Sequence, residues 1–155
     1  MVSNLALFLP APEATDRFGA ALGSVLRPGD VVLLSGDVGA GKTHLARALI
    51  TSLLDAPEDI PSPTFTLVQT YDTRSGALWH ADLYRLGDTS EIEELGLTEA
   101  FDTAICLIEW PDRLGDVPES ALCIHLETHA DGRQATLSWD HGPWADRLTE
   151  VSAHV

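Results

Sequence analysis

The stretch that decides the fold is VVLLSGDVGAGKTHLARALITSLL, residues 31–54. It begins with a continuous apolar, partly β-branched run at 31–35, which is typical of a strand buried on both faces of a parallel sheet. A glycine-rich loop follows, and then a segment that places Leu45, Leu49 and Leu53 on one helical face. Strand, glycine loop and helix in this order predict an α/β chain with an anion-binding turn.

The loop itself, GDVGAGKT at 36–43, meets the spacing G-x-x-x-x-G-K-[ST]. Glycines permit a tight turn in which backbone N–H groups converge on phosphate oxygens. Lys42 would supply a point charge to the β- and γ-phosphates, and Thr43 a hydroxyl for Mg²⁺. Lys42 is also the only lysine among 155 residues. Its position favours nucleotide binding over a purely structural glycine turn.

Length and charge limit the remaining possibilities. We expect 155 residues to form one domain spanning 1–155, with residues 1–3 and 141–155 peripheral or frayed. The formal net charge is −15, and the eight arginines are spread singly along the chain. Tight direct binding to nucleic acid is therefore not expected, because clustered Lys and Arg normally neutralise phosphates. The acidic surface suits either a basic protein partner or solubility alone.

The compartment follows from three absences in the sequence. No apolar run approaches the roughly 20 residues of a membrane span, and the N-terminal segment lacks a basic leader and a clear cleavage site. Cys106 and Cys123 each lie in an apolar run, which predicts two buried thiols rather than a disulfide. We therefore expect a cytoplasmic protein with no membrane association.

The rest of the chain predicts alternating elements. Residues 13–26 have helical spacing, and 27–30 form a turn. One β-hairpin is expected around 72–76 and another around Asp131–Gly132. One or two short helices are expected at 87–101 and a short helix after 141. The fold class is thus α/β, a single-domain P-loop NTPase fold with a mixed central sheet flanked by helices.

An acid at the end of a neighbouring strand is needed to hold Mg²⁺ directly or through water. Glu109 closes the apolar run at 105–108, and such a position lies at the ligand edge of an α/β sheet. Asp82 lies in an alternating hairpin strand, a less usual setting. Glu109 is the favoured metal ligand, with Asp82 in a supporting or water-orienting role. A salt-bridged strand end and a solvated strand residue are the non-functional alternatives.

Five motifs in order make the sequence more specific than its loop alone. They are GDVGAGKT (36–43), SPTFTLVQTY (62–71), HADLYRL (80–86), EELGL (93–97) and ICLIEWPDRLG (105–115). Together they closely resemble the bacterial TsaE family, also called YjeE, from about position 13 to 133. Members are small P-loop ATPases that act in making threonylcarbamoyladenosine in tRNA.

The resemblance implies a function for individual positions. Lys42, Asp82 and Glu109 would be catalytic, and Thr43 and Glu109 would hold Mg²⁺. Thr64 would lie in a switch-like loop that senses the γ-phosphate, and Trp110 would lie beside the metal. The positions implied to contact ATP are Thr15, Asp37, Val38, Gly39, Ala40, Gly41, Lys42, Thr43, Thr64, Trp110 and Arg133, with Thr15 and Arg133 bordering the adenine. His44, where the family more often has Thr or a small residue, is a departure expected to leave the phosphate site intact.

The implied cofactors are ATP and Mg²⁺, and the implied partners are the TsaB and TsaD subunits that modify tRNA. A small-molecule kinase would need an arginine-bearing lid, and the region after the loop helix has little basic charge. A GTPase would need a second lysine for its guanine-reading motif. A nucleotide sensor without turnover stays open. With no arginine finger evident, we expect slow hydrolysis that a partner accelerates.

Overall fold

The computed structural model describes residues 3–37, 39–56, 60, 68–84, 96–114 and 117–155, with only the backbone of Arg113. In chain order its elements are β1 (Ser3–Leu9), α1 (Pro12–Val25), β2 (Val31–Ser35), α2 (Lys42–Leu53), β3 (Val68–Thr73), β4 (Gly76–Asp82), α3 (Leu97–Thr103), β5 (Ile105–Glu109), a 3₁₀ turn (Pro111–Arg113), β6 (Leu122–His129), β7 (Gly132–Trp139) and α4 (Trp144–Ser152). The expected fold, a mixed sheet flanked by helices in one domain, is confirmed.

The seven strands lie in the order β1-β7-β6-β2-β5-β4-β3. Strands β6, β2, β5 and β4 are parallel neighbours, and the outer pairs are antiparallel. Carboxyl ends of parallel strands meet at one edge of a sheet, which is where ligands bind in such folds. The hairpin strand β4 belongs to this parallel set, and its last residue, Asp82, lies opposite Glu109 in register. Asp82 therefore has the same setting as Glu109, contrary to the sequence-based distinction between them.

Strands β2 and β5 are buried on both faces, as their continuous apolar runs predict. Val32, Leu34 and Leu107 face the larger core, which includes residues of α1, α2 and α4. The alternate side chains Leu33 and Ile108 face a smaller core that includes residues of α3. The two cores hold the strand ends rigidly, so groups placed there have fixed positions.

Helices α1 and α2 pack closely because one contact position lacks a side chain. A Cβ at Gly19 would lie 2.8 Å from Cβ of Ala48 and 2.9 Å from the backbone N of Leu49. This approach places the start of α1 beside the start of α2. The glycine loop therefore has the first turn of α1 as its neighbour.

The C-terminal segment is part of the main core. The expected short helix is present as α4, and its Trp144, Leu148 and Val151 are buried. The Trp144 indole N–H donates to the Ser120 carbonyl at 2.7 Å, and Arg147 pairs with Asp30 at 2.7 Å. Residues 144–152 are therefore packed and paired rather than frayed, because an apolar helix face meets α1.

The second hairpin turns one residue earlier than its Asp-Gly signal indicates. Ala130 and Asp131 form the turn, with Ala130 at a φ of 52°, while Gly132 already pairs with His129 as the first residue of β7. A Cβ at Gly132 would lie 2.4 Å from the Leu9 carbonyl oxygen. Glycine is required here for the close approach of β1, and not for the turn.

The two cysteines differ in exposure. Both are free thiols, as expected, and Cys106 is buried, but Cys123 is exposed. Cys123 belongs to the alternating strand β6, whose outward residues at 123, 125, 127 and 129 are all exposed. The prediction of a buried Cys123 was wrong because local apolar neighbours do not determine which side of a strand is covered. Within the described ranges, no helix is long and apolar enough to cross a membrane.

Candidate functional site

The glycine loop connects β2 to α2 in a conformation that depends on glycine at both of its ends. Gly36 has a φ of 135°, and a Cβ there would lie 2.2 Å from the Leu126 carbonyl oxygen. Gly41 has a φ of 103° and precedes the first residue of α2 without making any side-chain cap. The N–H groups of the first turn of α2 thus lack a side-chain acceptor at the loop. Such a helix end attracts an anion.

Lys42 is the first residue of α2 and is only 5% exposed. Its Nζ donates hydrogen bonds to the carbonyl oxygens of Gly36 at 2.5 Å and Asp37 at 3.0 Å. Burial lowers the pKa of Lys42, while the carboxylates of Glu109, Asp82 and Asp37 oppose that shift. The ammonium is thus held inside the loop, where phosphates would meet it.

Thr43 and Glu109 meet at the strand edge. The Thr43 hydroxyl donates to Oε1 of Glu109 at 2.8 Å, and Glu109 is 2% exposed. The other oxygen, Oε2, lies 2.6 Å from Nε2 of His80, which is fully buried on β4. The structure thus brings the two predicted metal ligands together and adds a histidine that the sequence analysis missed. Its signal was available, because His80 precedes Asp82 by two residues and shares its face of the strand.

Asp82 completes the carboxylate pair at this edge. Its Oδ1 accepts a hydrogen bond from the backbone N–H of Tyr84 at 3.0 Å. Burial is the main cause that raises the pKa of Asp82, Glu109 raises it further, and the Tyr84 hydrogen bond lowers it. A carboxyl group with a raised pKa near Lys42 and Glu109 is a candidate for proton or water handling.

Trp110 follows Glu109 in a left-handed backbone conformation, with a φ of 59°. Its ring centroid lies 4.1 Å from Nζ of Lys42, a cation–π distance, and 4.8 Å from the ring of Tyr84. Tyr84 is 50% exposed. Non-glycine residues in this conformation are strained and concentrate at functional sites. Trp110 thus covers one side of the lysine, and Tyr84 packs against the Trp110 ring.

A cavity of about 250 Å³ lies on the other side of the loop. Its lining residues are Leu9, Ala11, Pro12, Thr15, Gly41, His44, Asp131, Gly132 and Arg133. Arg133 reaches the loop, since its Nη2 donates to the Gly39 carbonyl at 3.3 Å. His44 points toward α1, with Nε2 at 2.8 Å from Asp16. The two residues implied to border adenine, Thr15 and Arg133, thus line one cavity beside the loop, with His44 at its wall.

The other predicted residues have the following places. Ala40 is buried, and Asp37 and Gly39 are exposed in the loop. Val38 and Thr64 lie outside the described residues. Within the described part of the chain, no three His, Cys, Asp or Glu side chains could enclose a metal ion. The Thr43 hydroxyl and one carboxylate would therefore suit an ion that takes its other ligands from water and phosphate, as Mg²⁺ does.

Comparison with known proteins identifies the family of the chain. The family model described as "Threonylcarbamoyl adenosine biosynthesis protein TsaE" matches residues 9–135. Two similar proteins are named tRNA threonylcarbamoyladenosine biosynthesis protein TsaE. The protein from Haemophilus influenzae is 34% identical to this chain, and the matched region covers 88% of this chain and 90% of that protein. The one from Mycobacterium bovis is 39% identical, with 84% of each chain covered. The crystal structure of YdiB from Bacillus subtilis has a TM-score of 0.78 and 29% identity, covering 99% of this chain and 97% of that one.

Proposed function

The chain belongs to the TsaE family, and we propose that it binds ATP with Mg²⁺ and hydrolyses it in support of threonylcarbamoyladenosine formation in tRNA. One observation carries the proposal. The buried Lys42 inside the glycine loop lies next to the Thr43–Glu109 pair, whose oxygens are 2.8 Å apart, at the carboxyl edge of the parallel strands. A cation, a hydroxyl and a carboxylate in this arrangement suit a nucleoside triphosphate with a divalent metal ion.

Phosphate binding would use the loop backbone and Lys42. The ammonium now donates to Gly36 and Asp37 carbonyls of the loop itself, and phosphate oxygens would replace these acceptors. The uncapped start of α2 adds its N–H groups and its partial positive charge. The backbone and Lys42 together would position the triphosphate without any further cation.

Mg²⁺ would be held by the Thr43 hydroxyl and by Glu109. When bound, the ion would neutralise charge on the phosphates. Thr43 and Glu109 already form a hydrogen bond at 2.8 Å, so both oxygens face the same point. The hydroxyl and carboxylate are ligand types that Mg²⁺ prefers.

Hydrolysis would depend on Asp82 and be slow. A carboxylate at the strand edge beside Glu109 can orient a water molecule, and burial already raises the pKa of Asp82. Of the cationic side chains in the described part of the chain, Lys42 and Arg133 contact the loop, and Arg133 donates a hydrogen bond to the Gly39 carbonyl. Among the described residues, no free arginine would therefore meet the charge that develops on the γ-phosphate. We propose that TsaB and TsaD supply this positive charge, since the acidic chain suits docking on a more basic partner.

The base would occupy the cavity of about 250 Å³ lined by Thr15 and Arg133. This cavity adjoins the loop through Gly41, so a nucleotide whose phosphates lie in the loop would place its base there. Apolar lining from Leu9, Ala11 and Pro12 suits a stacked aromatic ring. Thr15 and Arg133 would supply the polar contacts.

The test is phosphate release from ATP by the purified chain, alone and with TsaB and TsaD, using wild type and Lys42→Ala. We expect weak activity alone, stimulation by the partners, and loss of about 10²-fold or more on Lys42→Ala, which removes the preorganised charge. ATP binding without hydrolysis under both conditions would indicate a sensor. Phosphate release unaffected by the substitution would overturn the proposal.

A further inference from the structure

We propose that His80 holds Glu109 so that only one carboxylate oxygen, Oε1, faces the metal position, and that it thereby makes the site selective for Mg²⁺ over Ca²⁺. His80 acts here as a positioning residue, because its contact is with Glu109 and not with the substrate. The inference rests on the proposed function, in which Thr43 and Glu109 hold the metal ion.

The two oxygens of Glu109 have different surroundings. Oε2 lies 2.6 Å from Nε2 of His80, and both side chains are buried, at 2% and 0% exposure. Oε1 accepts the hydroxyl of Thr43 at 2.8 Å. Thr43 is at the start of α2, beside the phosphate loop, whereas His80 lies on β4 under the sheet edge. Oε1 is therefore the oxygen on the phosphate side, and Oε2 is the oxygen on the protein side.

Apart from its contact with Glu109, no hydrogen bond among the described residues explains why the His80 ring is buried. A carboxylate only accepts hydrogen bonds, so Nε2 of His80 carries the proton in this contact. Within the described residues, Nδ1 is buried and makes no hydrogen bond. Leaving a buried ring nitrogen without a hydrogen bond destabilises the fold, a cost that an apolar side chain would avoid. Among the described residues, the only hydrogen bond of the His80 ring is thus the one that orients Glu109.

The selectivity follows from how the two ions use carboxylates. Mg²⁺ requires a nearly octahedral shell and takes a single oxygen from a carboxylate, while Ca²⁺ takes six to eight oxygens and often both from one carboxylate. Bidentate binding by Glu109 would require Oε2 to leave His80. Breaking that buried hydrogen bond leaves the N–H of His80 without a partner in a site shielded from water, which is costly. His80 thus opposes the Ca²⁺ geometry and leaves the Mg²⁺ geometry unaffected.

The test compares ATP affinity in Mg²⁺, in Ca²⁺ and in EDTA for wild type and His80→Leu, by calorimetry. Removing the hydrogen bond frees Oε2, so we expect the affinity in Ca²⁺ relative to Mg²⁺ to rise about 10-fold, as for other residues that orient metal ligands. Affinity in EDTA should stay at the wild-type value. His80→Gln, whose amide nitrogen reaches the same place as Nε2, should retain the wild-type ratio.

Leu78→Ala is the matched control, because Leu78 is a fully buried residue of the same strand that pairs with Ile105, four residues before Glu109. It should lower the Tm without changing the ratio. If His80→Leu does not fold, His80→Asn, whose amide is too short to reach Glu109, should give the same raised ratio. A wild-type ratio in His80→Leu or His80→Asn, or an equal change in Leu78→Ala, would overturn the inference alone. A wild-type chain that binds ATP equally in all three conditions would overturn the proposed function with it.

Discussion

The phosphate side of the site and the cavity of about 250 Å³ beside it differ in how far apart along the chain their residues lie. The phosphate side takes its groups from one continuous loop and from the ends of two adjacent strands, β4 and β5. The cavity takes its walls from residues 9–15, 41–44 and 131–133, which lie far apart along the chain. Chemistry that is concentrated in a short motif can be recognised from sequence, whereas a cavity exists only after distant segments have packed.

The two regions also make different physical contributions to ligand binding. Lys42, Thr43 and Glu109 supply charge and metal ligands, and they are buried or half-buried at a rigid strand edge. The cavity supplies apolar contact and depends on the close approach of β1 and β7 at Gly132. Substitutions should therefore affect triphosphate binding, metal use and base binding separately.

Glu109→Gln should have the largest effect, a loss of ATP hydrolysis. This effect should be confined to the phosphate side of the site. Gln keeps the shape of the side chain but removes the negative charge that would hold the metal ion. We expect ATP hydrolysis to fall about 10²–10³-fold, while ATP affinity measured in EDTA stays within error of wild type. Single-turnover phosphate release and calorimetry check the two parts. An equal loss of affinity in EDTA would mean that Glu109 acts on folding and not through the metal.

Gly132→Ala should affect the cavity side. The added Cβ would lie 2.4 Å from the Leu9 carbonyl oxygen and 2.8 Å from Cα of Pro10, both backbone atoms. We expect the free energy of unfolding to fall by about 1–3 kcal/mol, and ATP affinity to fall more than tripolyphosphate affinity. Denaturant unfolding and titrations with both ligands check this.

Gln134→Ala, two residues further along β7 and outside the cavity lining, is the control for Gly132→Ala. It should leave the ratio of ATP to tripolyphosphate affinity unchanged. If Gly132→Ala weakened both ligands by the same factor, the cavity would have no separate function in base binding.

Asp82→Asn should give the smallest effect, an increase in stability. Burial raises the folded-state pKa of Asp82 above its usual 3.8, so the folded chain binds this proton more tightly than the unfolded chain. Stability from this group is therefore present at low pH and is lost as the pH rises from 3.8 through the raised value. An Asn side chain does not titrate, so the Asp82→Asn variant does not lose this stability as the pH rises. At neutral pH without metal or nucleotide, Asp82→Asn should have the higher Tm, and the difference should vanish below pH 3.8; a lower Tm at neutral pH would contradict the assignment.

The sequence was sufficient where the relevant residues are local. The loop from 36 to 43, the strand before it and the acid at 109 are each set by spacing within a few residues, and the structure has them as expected. His80 was missed because its importance depends on a hydrogen bond to Glu109 from a neighbouring strand. The exposure of Cys123 likewise depends on which face of the sheet is covered.

Turn and end positions show the same limit. Asp131–Gly132 has the letters of a hairpin turn, but Gly132 is needed for its contact with Leu9, which spacing along the chain cannot reveal. The segment after 141 was expected to be a short helix with a peripheral or frayed end, yet Trp144 is fully buried against the core. In both cases tertiary packing, and not the local sequence pattern, determines the structural role of the residue.

The most direct test of the central claim is calorimetric titration of ATP and of tripolyphosphate into wild type and Lys42→Ala, all with Mg²⁺. We expect wild type to bind ATP more tightly than tripolyphosphate, because only ATP fills the cavity, and we expect Lys42→Ala to weaken the binding of both ligands by a similar factor. Wild-type affinity for both ligands in Lys42→Ala, or equal affinity of wild type for ATP and tripolyphosphate, would contradict it.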